Sequence, residues 1–277
     1  MIRRMAALAR FHFRALLFSL AGLLFLLLAL AFYQVFFAPG QRTPDADYVI
    51  FVLGIFGAAY SFLVTLTISA RAYSSSHTIF YIRLESRVEY LVSVLISGLL
   101  FATLVQFLIF LLAVFVGEAQ FGGGSLLEIP PLWLSVNILG GILALAASDW
   151  ASDGWSRSWL FGLLLVLLFA QGNGPDISRW LAGRMVSLSS WSYGRQLFVP
   201  GDLFQGWANW LHGNGLIIID RLLGSLFWPF RAIGDAITAH HFSPSQALAP
   251  AALVIYATLL FLLVSRQFAH KDLILTE

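Results

Sequence analysis

The chain has 277 residues, of which 59% are hydrophobic and only 11% charged. Soluble domains carry about 25% charged residues, so a mean hydropathy of +0.84 over the whole length excludes a single water-soluble core. The net charge of +2 argues against a nucleic-acid partner, and the absence of cysteine excludes disulfides, thiolate metal sites and a cysteine nucleophile.

Residues 1–14 predict a basic amphipathic helix. Ile2, Met5, Leu8, Ala9 and Phe13 fall on one face at helical spacing, with Arg3, Arg10 and Arg14 opposite. Such a helix lies at a membrane surface. A bilayer core of about 30 Å needs roughly 20 apolar residues of helix. Six runs are candidates: residues 15–37, 48–70, 91–116, 132–148, 158–171 and 250–265. The first starts too late for a cleaved signal peptide and reads as a retained span. The fifth is short, and crosses only with Trp155 and Trp159 at one interface. The fold class expected is therefore an all-α integral membrane protein with six transmembrane helices.

Short-loop arginines favour the cytoplasm. Arg3, Arg4, Arg10 and Arg14 precede the first run; Arg71, Arg83 and Arg87 follow the second; Arg266 and Lys271 follow the last. The intervening loops 38–47 and 117–130 are poor in bases, and Gly122–Gly124 reads as a flexible turn. This alternation predicts a multi-pass protein of the cell (plasma or inner) membrane, in contact with its lipids, with both termini cytoplasmic.

Residues 172–249 then fall outside. Ile177, Leu181, Met185 and Leu188 repeat at helical spacing, as do Leu203, Phe204, Trp207, Trp210 and Leu211. Eight of the nine tryptophans lie between Trp150 and Trp228, and tryptophan favours the headgroup level. The segment reads as short interfacial helices between spans five and six, or as a small extracellular subdomain with a tryptophan core.

No catalytic, cofactor-binding or metal-binding residues emerge. With Lys271 as the only lysine, a Walker A loop is excluded. Adjacent His240 and His241 would point about 100° apart on a helix and are poorly placed to share a metal. Asp220 and Asp235 each have an arginine nearby, Arg221 and Arg231, so they read as ion pairs and not as a catalytic dyad. The six spans hold no ionisable Asp, Glu, Lys, Arg or His, which argues against ion-coupled transport. Their polar groups Thr65, Thr67, Thr103, Gln106 and Asn137 are candidates for a substrate pathway or for hydrogen bonds between helices.

The cytoplasmic loop 71–90 reads either as a helix docking on a soluble partner or as a solvated connector. Here the chain resembles the permease subunits of ABC-2-type (type V) ABC transporters. The order of parts matches: a basic amphipathic N-terminus, six spans and both ends inside. Ser86-Arg87-Val88-Glu89-Tyr90 is similar to the family's serine-arginine-x-glutamate-tyrosine start of the third span. Arg266-Gln267-Phe268-Ala269-His270-Lys271-Asp272-Leu273 resembles its basic-aromatic ending. The resemblance implies a half-transporter without an ATPase site of its own. It would pair with a second permease, identical or related, and with separate ATP-binding subunits that carry ATP and Mg. The loop 71–90 would be its coupling helix, with Arg83, Glu85, Arg87, Glu89 and Tyr90 as contact residues and residues 1–14 and 149–157 alongside. The cargo implied is a lipid, glycolipid, polysaccharide, peptide or drug. A scaffold or assembly protein that binds through the tryptophan-rich segment is the competing reading.

Overall fold

The structure is a computed structural model that describes residues 2–37, 46–73, 86–116, 123–151, 161–162, 174–238 and 246–270. Among these residues it is helical, without strands. Ten α-helices follow in order: α1 (Ile2–Leu17), α2 (Leu20–Phe37), α3 (Ala46–Ala72), α4 (Arg87–Phe115), α5 (Gly123–Ala147), α6 (Gly174–Gly194), α7 (Phe198–His212), α8 (Asn214–Leu226), α9 (Trp228–Thr238) and α10 (Ala249–His270).

Among the described residues, five helical stretches are long and apolar enough to cross a membrane: Leu20–Phe37, Ala46–Ala72, Arg87–Phe115, Ile129–Ala147 and Gln246–His270. This makes the chain a multi-span helical membrane protein. The run expected at 158–171 lies outside the described residues except for 161–162.

Helix boundaries depart from the hydropathy runs where single residues decide. The apolar run 15–37 is broken at Phe18–Ser19. Ser19 Oγ donates to Leu16 O at 2.6 Å and accepts from Gly22 N–H at 3.2 Å, which closes α1 and caps α2 at its third residue. A side chain at Gly22 would collide with the Leu16 carbonyl, so this corner requires glycine. Gly123 and Gly124 form the first turn of α5 and not a flexible turn. Glycine costs most in a helix interior; at the terminus that penalty is small.

The chain divides into two compact units, residues 1–157 with 232–277, and residues 158–231. In the first, α3 packs on α5 and α4, and α5 packs on α10. Close approach replaces hydrophobic drive here, because lipid tails are as apolar as the core. Small residues line the seams: a Cβ at Gly140 would strike Ala58 O, and one at Gly98 would strike Thr65 Oγ1. α1 runs along the start of α4 in the same sense: Ser97 Oγ donates to Ala9 O at 3.0 Å, and Phe13 meets the Phe101 ring at 5.8 Å. Its buried stripe is Ala9, His12 and Leu16, while Ile2 is 75% exposed. That stripe is rotated from the face read in the sequence, because His12 seats its ring on Tyr90 (5.2 Å).

The second unit contains α6–α8. α6 and α7 meet through Ser178, Ala182, Ser189, Gly201 and Ala208, all buried. Ser178 Oγ donates to Leu211 O and Ser189 Oγ to Gly201 O, both at 2.9 Å. The corner between the two helices has Gln196 at φ 60°, and Leu197 N–H returns to Ser192 O.

Candidate functional site

The residues singled out in the sequence fall into two places in the first unit. Arg83 and Glu85 lie outside the described residues. Arg87, Glu89 and Tyr90 are not in a loop: they form the first turn of α4, whose N-cap is Ser86. Ser86 and Glu89 have the S-x-x-E spacing of a capping box, although the serine hydroxyl makes no cap bond. Glu89 instead places a carboxylate at the positive end of the helix, where negative charge is favoured.

Glu89 and Tyr90 are used inside the chain. Glu89 is 5% exposed, and Arg4 Nε of α1 lies 3.8 Å from its Oε2. Arg4 is itself 43% exposed, so this ion pair is partly screened and contributes little stability. Tyr90 is fully buried, with its OH 3.5 Å from Ala72 O. Its ring packs 5.5 Å from Trp150, which also meets Tyr73 (5.6 Å) and Phe268 (4.6 Å). Trp150 Nε1 donates to Ser69 O at 3.1 Å. The end of α3, the start of α4, the end of α5 and the end of α10 thus close on one indole, and α1 joins through His12. The sequence placed Trp150 with the headgroup-level tryptophans; it is 1% exposed and packs inside the bundle. Arg87 is half-buried.

The second place is a polar cluster between α3, α4 and α5. Asn137 Nδ2 donates to Gln106 Oε1 at 2.7 Å, and Gln106 Nε2 donates to Leu53 O at 2.8 Å. Ser61 Oγ donates to Asn137 O at 2.8 Å. Thr103 Oγ1 sits 3.5 Å from Asn137 Nδ2 at an exposed position. Gly57 makes room for the pair: a Cβ there would lie 2.5 Å from Gln106 Nε2 and 2.6 Å from Asn137 Oδ1. Thr65 is buried against Gly98, without a hydrogen bond for its hydroxyl. Thr67 turns back to Leu63 O on its own helix and stays out of the cluster. Gln106 and Asn137 are completely buried, so their amides join helices and do not line an open route through this unit. Ser61 and Gly57 belong to the cluster and were missed in the sequence, although Gly57, Ser61 and Thr65 stand four apart, the small-residue spacing of close helix pairs.

No family model matches this chain, and no curated protein or solved structure matches it either. Function therefore rests on the residues themselves. Among the described residues no three His, Asp or Glu side chains gather as a metal ion would require.

The second unit contributes a surface. Trp180, Trp191, Trp207 and Trp210 are 49–59% exposed, so they are not the core of a water-soluble subdomain. Arg184 stacks over Trp180 at 5.4 Å and Arg195 over Trp191 at 4.9 Å, contacts that hold a cation on an aromatic face. Tyr193 donates to Asp202 Oδ1 at 2.5 Å, and this bond raises the phenol pKa.

Proposed function

We propose that this chain is the membrane-spanning subunit of an ATP-driven exporter of the ABC-2 type, with six spans and both termini cytoplasmic in a cell membrane. It works with a second permease, identical or related, and with separate ATP-binding subunits that hold ATP and Mg. The observation that carries this reading is the convergence on the first turn of α4. The N-terminal helix, the start of the third span, the Trp150 corner and the aromatic C-terminal helix meet where α4 begins, directly after residues 74–85 in the chain. A push on the start of α4 reaches four membrane helices through packed rings, which is what coupling to an external ATPase requires. The N-terminal helix is the amphipathic brace of that site. Glu89 and Tyr90 transmit within the chain, and Arg83, Glu85 and Arg87 are the residues offered to the ATPase.

The cargo path of such a half-transporter lies between two copies. Gln106 and Asn137 are buried and bonded to each other, so they join helices and do not line that path. The uncharged spans suit a lipid, glycolipid, peptide or drug. The helices α6 and α7 rest at the outer leaflet through their exposed tryptophans. The same tryptophan surface favours a second reading, a membrane scaffold that binds a partner protein there; such a protein would hold no ATPase in any mild preparation.

Two measurements test the proposal. Purified in mild detergent, the parent chain is expected to bring down an ATP-binding subunit in stoichiometric amount. Arg87→Glu is expected to insert normally yet weaken that association about a hundredfold, since removing one partner of an interfacial charge pair costs roughly 2–5 kcal/mol. Retention of the ATPase by Arg87→Glu at parental levels would remove this residue from coupling. For orientation, a cysteine at Asn209, exposed on α7, should react with an impermeant thiol reagent from outside the cell. Labelling from the cytoplasm alone would reverse the placement of α6 and α7.

A further inference from the structure

A groove of about 670 Å³ runs between α1 and α4. Met5, Ala6 and Phe13 form one wall; Leu100, Leu104 and Phe107 form the other. Arg10 is the one charged residue of its lining. We propose that this groove holds an acyl chain of an anionic phospholipid, with the Arg10 guanidinium pairing with the lipid phosphate. The inference depends only on α4 crossing the membrane and is independent of the transport reading.

Three observations carry it. The first is the medium. Leu100, Leu104 and Phe107 are 51–55% exposed on a helix apolar enough to span the bilayer, so the open side of the groove meets hydrocarbon, not water. The second is depth. Ser97, which bonds to Ala9 beside Arg10, lies six residues past the start of the apolar run at Leu91, about 9 Å along α4 at 1.5 Å per residue. An arginine side chain spans such a depth by snorkelling, so the Arg10 guanidinium reaches the headgroup boundary. The apolar wall runs from there toward the bilayer centre. The third is chemistry. A lone guanidinium at the mouth of an aliphatic slot matches a phosphate oxygen pair in front of a hydrocarbon tail, and arginine binds phosphate with two parallel N–H donors. Such a lipid would glue α1 to α4 on the side away from Tyr90.

Native mass spectrometry of the whole protein in mild detergent tests this, with phosphatidylglycerol or phosphatidylcholine of equal chain length added. The parent is expected to retain one phosphatidylglycerol in preference to phosphatidylcholine. Arg10→Gln should reduce that preference about tenfold, as loss of a hydrogen-bonded charge does, while chain binding persists. Ala6→Trp fills the slot and should abolish retention of both lipids without altering charge. Leu104→Trp, from the opposite wall, should do the same and guards against a defect confined to α1. Equal retention of both lipids by the parent and by Arg10→Gln would overturn the proposal. So would a dimer that Ala6→Trp converts to monomer with lipid binding unchanged, since a second copy would then occupy the groove.

Discussion

Trp150→Ala should destabilise the protein more than any other single truncation at this end of the bundle. The indole is 1% exposed and touches three rings, Tyr73, Tyr90 and Phe268. Loss of a buried aromatic to alanine costs about 3–5 kcal/mol where the cavity cannot collapse. Here collapse is hindered, because four helix ends would have to move together. Trp150→Phe separates packing from hydrogen bonding. It keeps most of the ring but loses the N–H donated to Ser69 O. That carbonyl still accepts from Tyr73 N–H at 3.0 Å, so the cost should stay near the net worth of one hydrogen bond, about 0.5–1.5 kcal/mol. Unfolding of the three proteins in mixed micelles, followed by tryptophan fluorescence and circular dichroism, should rank them parent, Phe, Ala. Equal loss for Phe and Ala would mean that the hydrogen bond, not the ring cluster, holds this end together.

The long uncharged runs revealed most of the spanning helices because lipid selects on hydropathy, a property that a window of residues carries by itself. What the runs hid was punctuation and pairing. Ser19 ends α1 and caps α2 through one hydroxyl, too small a signal to break an apolar run of more than twenty residues. Arg87–Tyr90 looked like a loop because it is charged, yet Glu89 is favoured at the helix start and is buried against Arg4. Its spacing from Ser86 was the available signal. Asn137 and Gln106 stood out as polar residues in apolar surroundings, but that they bond to each other depends on which helices are neighbours. Tryptophan was read from its average preference for membrane interfaces. This suits Trp180, Trp191, Trp207 and Trp210, which are exposed, and fails for Trp150, whose N–H finds a carbonyl on α3.

Gly140→Ala is the second large effect, and its cause is steric. The added methyl would collide with Ala58 O and approach Ala58 C at 3.2 Å and Cα at 3.4 Å, all backbone atoms of α3. No side chain can swing aside, so α3 and α5 must separate. Asn137 lies one turn before Gly140 on α5, and its carbonyl accepts from Ser61 of α3. Separation therefore also pulls on the Asn137–Gln106 amide pair, whose groups have no water to turn to in a bilayer. Overpacking alone costs about 1–3 kcal/mol, and the strained amides add to it. Gly54→Ala on α3 is the matched control. Its methyl would sit 3.6 Å from Trp133 Cδ1, an ordinary contact, and alanine exceeds glycine in helix propensity by about 1 kcal/mol. The same chemical change should thus have opposite signs: Gly140→Ala unfolds at lower denaturant and Gly54→Ala at equal or higher denaturant than the parent. If both variants shift together, the close approach of α3 and α5 is not what holds this pair.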